Sequence, residues 1–256
     1  MITAAFRTFI LTSAAAIIAA TPGGAQDLSN PQSQFTDNLP PQQWIATTEK
    51  TERGHRIGKP EAKAQLIEFI SYTCGACASF AQEADGALDL TGVGPGYVSV
   101  EVRPIIRNYL DLVVSVLVQC GDPKDFKRRH RAFLYSQDVW LKKAINAPQS
   151  QQTIWARGDA AGRANAARAL DLDDTLLAQG MTAPQINACL ADQATALQIV
   201  QNSNADGNEF QITGTPSFAL NGAPLTGVHD WQGLSAILQQ RFRPPAPESV
   251  TPGQGG

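Results

Sequence analysis

Charged residues, cysteine and histidine are all scarce in this sequence, and each shortage excludes a class of protein. Charged residues form 17% of the 256 residues, and 20 Lys+Arg against 23 Asp+Glu leave a net charge of −3. A dedicated nucleic-acid binder is therefore excluded, because neutralising phosphates requires a basic surface. Four cysteines are too few to form a disulfide-stapled scaffold of this length. The three histidines, His55, His130 and His229, share no ligand spacing, so no metal site is predicted.

Long hydrophobic runs are also missing, although 43% of the residues are hydrophobic, which is enough for a folded core. One apolar run covers residues 8–20, but it is shorter than the ~20 residues that a membrane-spanning helix needs. Arg7 precedes this run, and Gly23 and Ala25 supply small residues for a cleavage point, as in a secretory signal peptide. We predict a signal peptide over residues 1–25, cleaved near Ala25, and hence an exported, periplasmic protein. An uncleaved membrane anchor is the alternative.

The remaining chain divides by its hydrophobic patterns into loose ends and an ordered centre. An apolar strand over residues 64–72, a helix from Cys74 and an alternating strand over residues 97–102 predict a βαβ unit. A long helical stretch follows, and a hairpin at Asn221-Gly222 with a last helix predicts a ββα unit. The predicted segments are a loosely ordered N-terminal arm (26–57), two halves of an α/β domain (58–104 and 210–242), a helical insertion between them (105–209) and a disordered Pro/Gly tail (243–256).

The Cys74-Gly75-Ala76-Cys77 motif lies between the first predicted strand and its helix, a placement that favours redox chemistry. Unpaired N–H groups at a helix N-terminus stabilise an anionic sulfur, and such settings lower cysteine pKa values from about 8.5 to roughly 3.5–7.5. We predict that Cys74 is the nucleophile and that Cys77, one turn later, is the resolving cysteine. The small residues Gly75 and Ala76 leave the sulfur of Cys74 accessible to a substrate.

Three other uses of this motif fit the sequence less well. A zinc site would need a second close cysteine pair, but Cys120 and Cys189 are far apart in the sequence. A haem attachment site would need histidine at position 78, where this chain has Ala78. A purely structural disulfide across three positions closes almost no loop and adds little stability. The sequence therefore favours a redox function.

Two further features point to the same site. Glu68 lies six residues before Cys74 among apolar neighbours, so burial raises the expected pKa of its carboxyl. Such a group can exchange a proton with Cys77; an exposed glutamate at the strand's end is the alternative. Thr215-Pro216 opens the predicted hairpin, and a cis bond there would turn the backbone N–H and C=O of Thr215 toward an incoming peptide.

The chain resembles the DsbA-like branch of the thioredoxin superfamily. The residues that carry the resemblance are 68–77 and Gly214-Thr215-Pro216-Ser217-Phe218, and the similarity extends over roughly residues 58–242. The resemblance implies a thioredoxin fold with a helical domain inserted between its βαβ and ββα halves. It implies that Cys74 is the nucleophile, Cys77 the resolving cysteine and Glu68 a buried acid, with Thr215 and Pro216 forming a substrate-binding cis-proline loop beside Gly75 and Ala76. It also implies a redox-active disulfide without a cofactor, reduced or unfolded exported proteins as substrates, and a membrane redox partner.

The direction of the reaction is left open by the motif. DsbA-like oxidases resemble one another in having Cys-Pro-His-Cys, whereas this chain has Gly75-Ala76 between the cysteines. We predict a protein-disulfide oxidoreductase that forms disulfides in secreted proteins. A reductase or isomerase of the same fold, and a copper or zinc carrier that uses both thiolates, are the alternatives.

Cys120 and Cys189 each end a predicted helix of the insertion. In an exported protein we predict that they form a structural disulfide. A bridge across this ~70-residue loop contributes on the order of 4 kcal/mol by chain-entropy arithmetic. Two separate buried thiols are the first alternative, and a regulatory redox role of the two cysteines is the second.

Overall fold

The computed structural model describes residues 42–241. The predicted signal peptide over residues 1–25, residues 26–41 of the predicted arm and the predicted tail over residues 243–256 lie outside the described residues. Among residues 42–241, none of the helices combines the length and apolar character that crossing a bilayer requires.

A six-stranded mixed sheet forms the centre of the described chain, with strand order β1-β2-β4-β3-β5-β6. Only β3 and β4 pair in parallel, and the remaining neighbours are antiparallel. The central strand β3 is nearly continuously apolar, as expected of a strand that is covered on both faces. The strands are β1 (Thr48–Lys50), β2 (His55–Ile57), β3 (Ala64–Ile70), β4 (Val98–Pro104), β5 (Ser217–Leu220) and β6 (Ala223–Pro224).

Ten α-helices surround this sheet or form the insertion in the described part of the chain. Helix α1 follows β3, eight helices lie between β4 and β5, and the last follows β6. The helices are α1 (Gly75–Leu88), α2 (Tyr109–Val118), α3 (Phe126–Tyr135), α4 (Gln137–Ile145), α5 (Gln149–Trp155), α6 (Ala160–Ala169), α7 (Leu172–Leu177), α8 (Ala183–Ala191), α9 (Gln193–Glu209) and α10 (Trp231–Arg241).

Residues of β3 alternate between the two faces of the sheet, as side chains of a strand do. Glu68 pairs in register with Phe218 of β5, whose ring packs 4.9 Å from that of Phe80 on α1. Phe69 points to the other face, where its ring lies 4.8 Å from that of Phe210, just after α9. Helix α1 therefore covers the face that carries Glu68, and the end of α9 covers the opposite face.

The predicted α/β fold with a helical insertion is confirmed, and the hairpin between β5 and β6 turns at Asn221-Gly222 as expected. Both residues have positive φ, 51° and 82°, which a type I′ turn requires. The sequence indicates a single helix from Pro123 to Trp140, but the structure divides it at Ser136, between α3 and α4. This interruption leaves the apolar spacing intact, so the pattern could not reveal it.

The predicted loosely ordered arm over residues 26–57 needs a correction at its end. Residues 48–57 contain β1 and β2, and β2 pairs with β4 along the whole of its length. Three-residue strands are too short to show alternation of apolar and polar residues. The position of β2 depends on pairing with β4, more than 40 residues later, which a local pattern does not encode, and β1 pairs in turn with β2.

Candidate active site

The two free cysteines lie where β3 leads into α1, Cys74 just before the helix and Cys77 in its first turn. Cys74 is the N-cap residue of α1 in an extended conformation (φ −92°, ψ 115°), and its N–H donates to the carbonyl of Ser71 at 3.1 Å. Cys77 follows one turn later and is completely buried. A Cβ atom at Gly75 would meet no other heavy atom of residues 42–241 within 4 Å, so the described chain leaves the space beside this residue open.

The local hydrogen bonds favour a thiolate at Cys74 and a thiol at Cys77. The Cys74 sulfur accepts hydrogen bonds from the Cys77 thiol, from the Thr215 side chain and from the N–H groups of Cys77 and Ala76. These hydrogen bonds lower the pKa of Cys74 to about 4, although partial burial acts in the opposite direction. The same contact with Cys74, together with burial, raises the pKa of Cys77 far above its ordinary value. At neutral pH, therefore, the reduced pair carries one negative charge, on the partly exposed sulfur.

The loop before β5 faces this sulfur. In its thiol form, Cys74 Sγ donates to the carbonyl oxygen of Thr215 at 3.1 Å. The Thr215–Pro216 peptide bond is cis, and the carbonyl of Pro216 accepts a hydrogen bond from His229 Nδ1 at 2.8 Å. The structure thus places Thr215 and Pro216 beside the cysteine pair, as the sequence predicts.

A buried carboxylate, Asp111, joins the insertion to the cysteine turn. It lies in the first turn of α2 and is fully buried, and one of its oxygens accepts from Ser71 Oγ at 2.8 Å and Thr73 N at 2.9 Å. Its other oxygen accepts from the N–H of Arg107 at 3.0 Å. Asp111 is not among the predicted site residues, although a carboxyl group inside an apolar helical stripe is itself a signal that it has partners.

A second support comes from Gln137 at the start of α4. Its buried side-chain amide donates to the carbonyls of Tyr72 and Cys74 at 2.7 and 2.9 Å. The hydroxyl of Tyr72 lies 2.9 Å from His130 Nδ1 on α3. These contacts hold the backbone just before α1 from the side of the insertion. Nothing in the sequence pattern distinguishes Gln137 from an ordinary surface glutamine.

Glu68 lies on the sheet face beneath α1 and is only 4% exposed. Burial raises its pKa to about 8, helped by the nearby Asp85 carboxylate and opposed by Arg131. Glu68, Asp85 and Arg131 line a cavity of about 20 Å³, which is large enough for one water molecule. Among the hydrogen bonds of residues 42–241, none joins Glu68 to either cysteine of the pair. Glu68 is thus buried with a raised pKa, but its link to Cys77 stays a prediction.

Cys120 and Cys189 form a disulfide that joins the chain just after α2 to α8, with Cα atoms 5.7 Å apart. It lies within the insertion, away from the Cys74–Cys77 pair in the sequence. Across residues 42–241, no group of three or more His, Cys, Asp or Glu side chains is arranged to hold a metal ion. The cysteine pair is the redox group of this site.

Comparisons with known proteins agree with this geometry. The family model described as thioredoxin matches residues 50–240. A protein of Rickettsia conorii that carries the name protein-disulfide oxidoreductase is 24% identical over 216 residues, which cover 84% of this chain and 69% of that protein.

Solved structures show the same likeness. The protein-disulfide isomerase of Novosphingobium aromaticivorans is 32% identical, with a TM-score of 0.73, over 76% of this chain and all of that one. The alpha-DsbA1 of Wolbachia pipientis shares the fold at 19% identity, with a TM-score of 0.58, over 72% of this chain and 88% of that one. The chain therefore belongs to the thioredoxin family, as a protein-disulfide oxidoreductase with a DsbA-like fold.

Proposed function

We propose that the protein acts as an oxidase, forming disulfides in exported proteins with the Cys74–Cys77 pair. The observation that carries the proposal is the stabilised thiolate, because lowering the pKa of Cys74 to about 4 favours the reduced form of the enzyme. An enzyme whose reduced form is stabilised is an oxidant. A pKa of about 4 lies three units below neutral pH, which corresponds to a stabilisation of the thiolate by about 4 kcal/mol. Because the sulfur is partly exposed to solvent, we halve this energy to about 2 kcal/mol. The potential then rises by about 40 mV.

The reaction begins with the pair oxidised. A substrate thiolate attacks Cys74 Sγ, the Cys74–Cys77 bond breaks, and Cys77 leaves as a thiolate that takes up a proton. A second thiolate of the substrate then attacks the substrate sulfur of this mixed disulfide. The substrate disulfide forms, Cys74 leaves as a thiolate, and the enzyme has gained two electrons. A low pKa makes Cys74 a good leaving group in this last step.

We assign Glu68 the role of proton donor to Cys77. With a pKa of about 8, its carboxyl is largely protonated at neutral pH and can protonate a departing thiolate. Glu68→Gln should therefore slow exchange without unfolding the protein, and the loss should change with pH around 8. Exchange kinetics that match those of the unsubstituted protein at every pH would contradict this role.

Substrate binding is assigned to the backbone of Thr215. Its carbonyl oxygen lies 3.1 Å from Cys74 Sγ, so an extended peptide that reaches the sulfur passes this residue. Peptides can pair with exposed backbone groups as an added strand. Exposed Gly75 and Ala76 leave room for the incoming chain on the other side of the sulfur.

Export is supported by the Cys120–Cys189 disulfide, because such bonds persist in oxidising compartments such as the periplasm. It agrees with the signal-peptide pattern in residues 1–25. Each catalytic cycle leaves the pair reduced, so continued oxidation requires an external oxidant, for which we propose a membrane redox partner.

Equilibration of the pair with a glutathione buffer series tests the oxidase proposal. We expect a reduction potential of about −230 mV or less negative, which is at least about 40 mV above the value of about −270 mV for thioredoxin. A value near that of thioredoxin would contradict the proposal. Stoichiometric bound metal in the isolated protein, without dithiol exchange, would point to a thiolate metal carrier instead.

An isomerase is the second candidate, favoured by the 32% identical structure that is named a protein-disulfide isomerase. An isomerase must act on wrongly paired disulfides while its own pair is reduced. Refolding of a scrambled and of a fully reduced substrate protein distinguishes the two activities. If the protein is an oxidase, its oxidised form should accelerate refolding of the fully reduced substrate. Its reduced form should hardly affect refolding of the scrambled substrate.

A further inference from the structure

Arg107 lies at the edge of the redox site, just before α2, and is exposed. Its guanidinium Nη1 donates to Thr215 Oγ1 at 3.3 Å, and the carbonyl of the same threonine faces Cys74 Sγ at 3.1 Å. A cationic side chain therefore contacts the residue past which a substrate must run to reach the nucleophilic sulfur.

The position of Arg107 is fixed by the same carboxylate that supports the cysteine turn. Asp111 accepts from the backbone N–H of Arg107 at 3.0 Å and from that of Thr73 at 2.9 Å. The next residue, Asn108, donates to Thr73 Oγ1 at 2.8 Å. These hydrogen bonds hold the backbone of Arg107 in place relative to Cys74. Its guanidinium is exposed and contacts Thr215.

The guanidinium of Arg107 has no carboxylate partner among residues 42–241, since none of their ion pairs includes it. Arg53, Arg103 and Arg131, by contrast, each bind carboxylates of the protein itself. An arginine presents five N–H donors in a fork that matches a carboxylate. Most of the donors of Arg107 remain available to a molecule that arrives at the site.

We propose that Arg107 is a specificity-determining residue that binds an aspartate or glutamate side chain next to the reacting cysteine of a substrate protein. This inference rests on the proposed function, because it names the substrate class of the same site. The ion pair forms as the substrate strand passes Thr215, and it favours cysteines with acidic neighbours over cysteines with basic neighbours. No bond to Arg107 is made or broken in the reaction.

Single-cysteine peptides that differ only in one residue beside the cysteine, Glu, Gln or Lys, test the proposal. The second-order rate at which each peptide opens the oxidised pair is measured for the unsubstituted protein, Arg107→Gln, Arg107→Glu and Arg107→Lys. Dividing each variant's rate by that of the unsubstituted protein cancels differences in thiol reactivity between peptides. It also separates selectivity from a general effect of Arg107 on the cysteine pair, which would alter all three rates equally.

We expect the Glu-to-Gln rate ratio to fall about two- to fivefold in Arg107→Gln, the range expected for an exposed ion pair. Arg107→Lys should keep much of the preference, Arg107→Glu should favour the Lys peptide, and the preference should weaken as salt is added. Arg168→Glu is the matched control, because Arg168 is exposed on α6 and its side chain contacts Asn187 at 3.1 Å. This control should leave all ratios unchanged.

Equal Glu-to-Lys ratios in the unsubstituted protein and in Arg107→Glu would overturn the proposal, while leaving the proposed function intact. If none of the peptides opened the Cys74–Cys77 disulfide of the unsubstituted protein, the proposed function itself would fail. A change of the ratios in Arg168→Glu as large as that in Arg107→Glu would show an effect of overall charge and would also overturn the assignment to Arg107.

Discussion

Removing the hydroxyl of Thr215 tests how the Cys74 thiolate is stabilised. Thr215→Val preserves the shape of the side chain but removes one of the hydrogen bonds that lower the pKa of Cys74. A hydrogen bond to a charged group contributes about 1.5–3 kcal/mol, and the lower value suits a partly exposed sulfur. About 1.5 kcal/mol equals roughly one pKa unit. We therefore expect the pKa of Cys74 to rise from about 4 to about 5.

The same change should weaken the enzyme as an oxidant. Destabilising the thiolate disfavours the reduced form, so the reduction potential of the pair should fall by about 30 mV. Titration of the thiolate's ultraviolet absorbance measures the pKa, and glutathione equilibration measures the potential. Thr215→Ser keeps the hydroxyl and should shift both quantities less than Thr215→Val. Equal shifts in the two variants, or an unchanged pKa in Thr215→Val, would refute the reasoning.

Three further predictions concern stability. Asp111→Asn should lower the free energy of unfolding by about 2–3 kcal/mol, measured by urea denaturation, because an amide cannot accept all three hydrogen bonds of Asp111; an unchanged value would contradict this. Burial and the charges of Lys50 and Arg129 lower the pKa of His55 to about 4. As the pH drops, His55 is therefore protonated in the unfolded state before it is protonated in the folded state. The free energy of unfolding should consequently fall as the pH drops from 6.5 toward 4. The fall should reach on the order of 3 kcal/mol for this residue and be smaller in His55→Phe. Replacing both Cys120 and Cys189 by serine should lower stability by at most about 4 kcal/mol, since the bridge spans 69 positions, with peptide exchange rates unchanged.

The parts of the fold that follow from local patterns could be predicted from the sequence. The apolar run of β3, the cysteine pair at the start of α1 and the Asn221-Gly222 turn each lie within a few neighbouring residues. Their chemistry restricts the backbone directly, because an apolar run must be buried and a type I′ turn needs positive φ. The structure agrees with each of them.

The residues that surround the cysteine pair could not be predicted in this way. Asp111 reaches Ser71 across 40 positions, Gln137 reaches Cys74 across 63, and Arg107 reaches Thr215 across 108. None of these pairs leaves a periodic signal, since each contact depends on how the insertion packs against the sheet. Strands β1 and β2 were missed for the same reason, because β2 pairs with the distant strand β4 and β1 pairs in turn with β2.

Titration of the alkylation rate of Cys74 tests most directly whether this residue is a stabilised thiolate in the reduced protein. In Cys77→Ala, the hydrogen bond from the Cys77 thiol is lost, so the titration must use the protein with both cysteines of the pair, with alkylation assigned to Cys74 by mass mapping. We expect a reaction rate that rises with a midpoint near pH 4 and is constant through neutral pH. A midpoint near 8.5, the value of an ordinary cysteine, would contradict it.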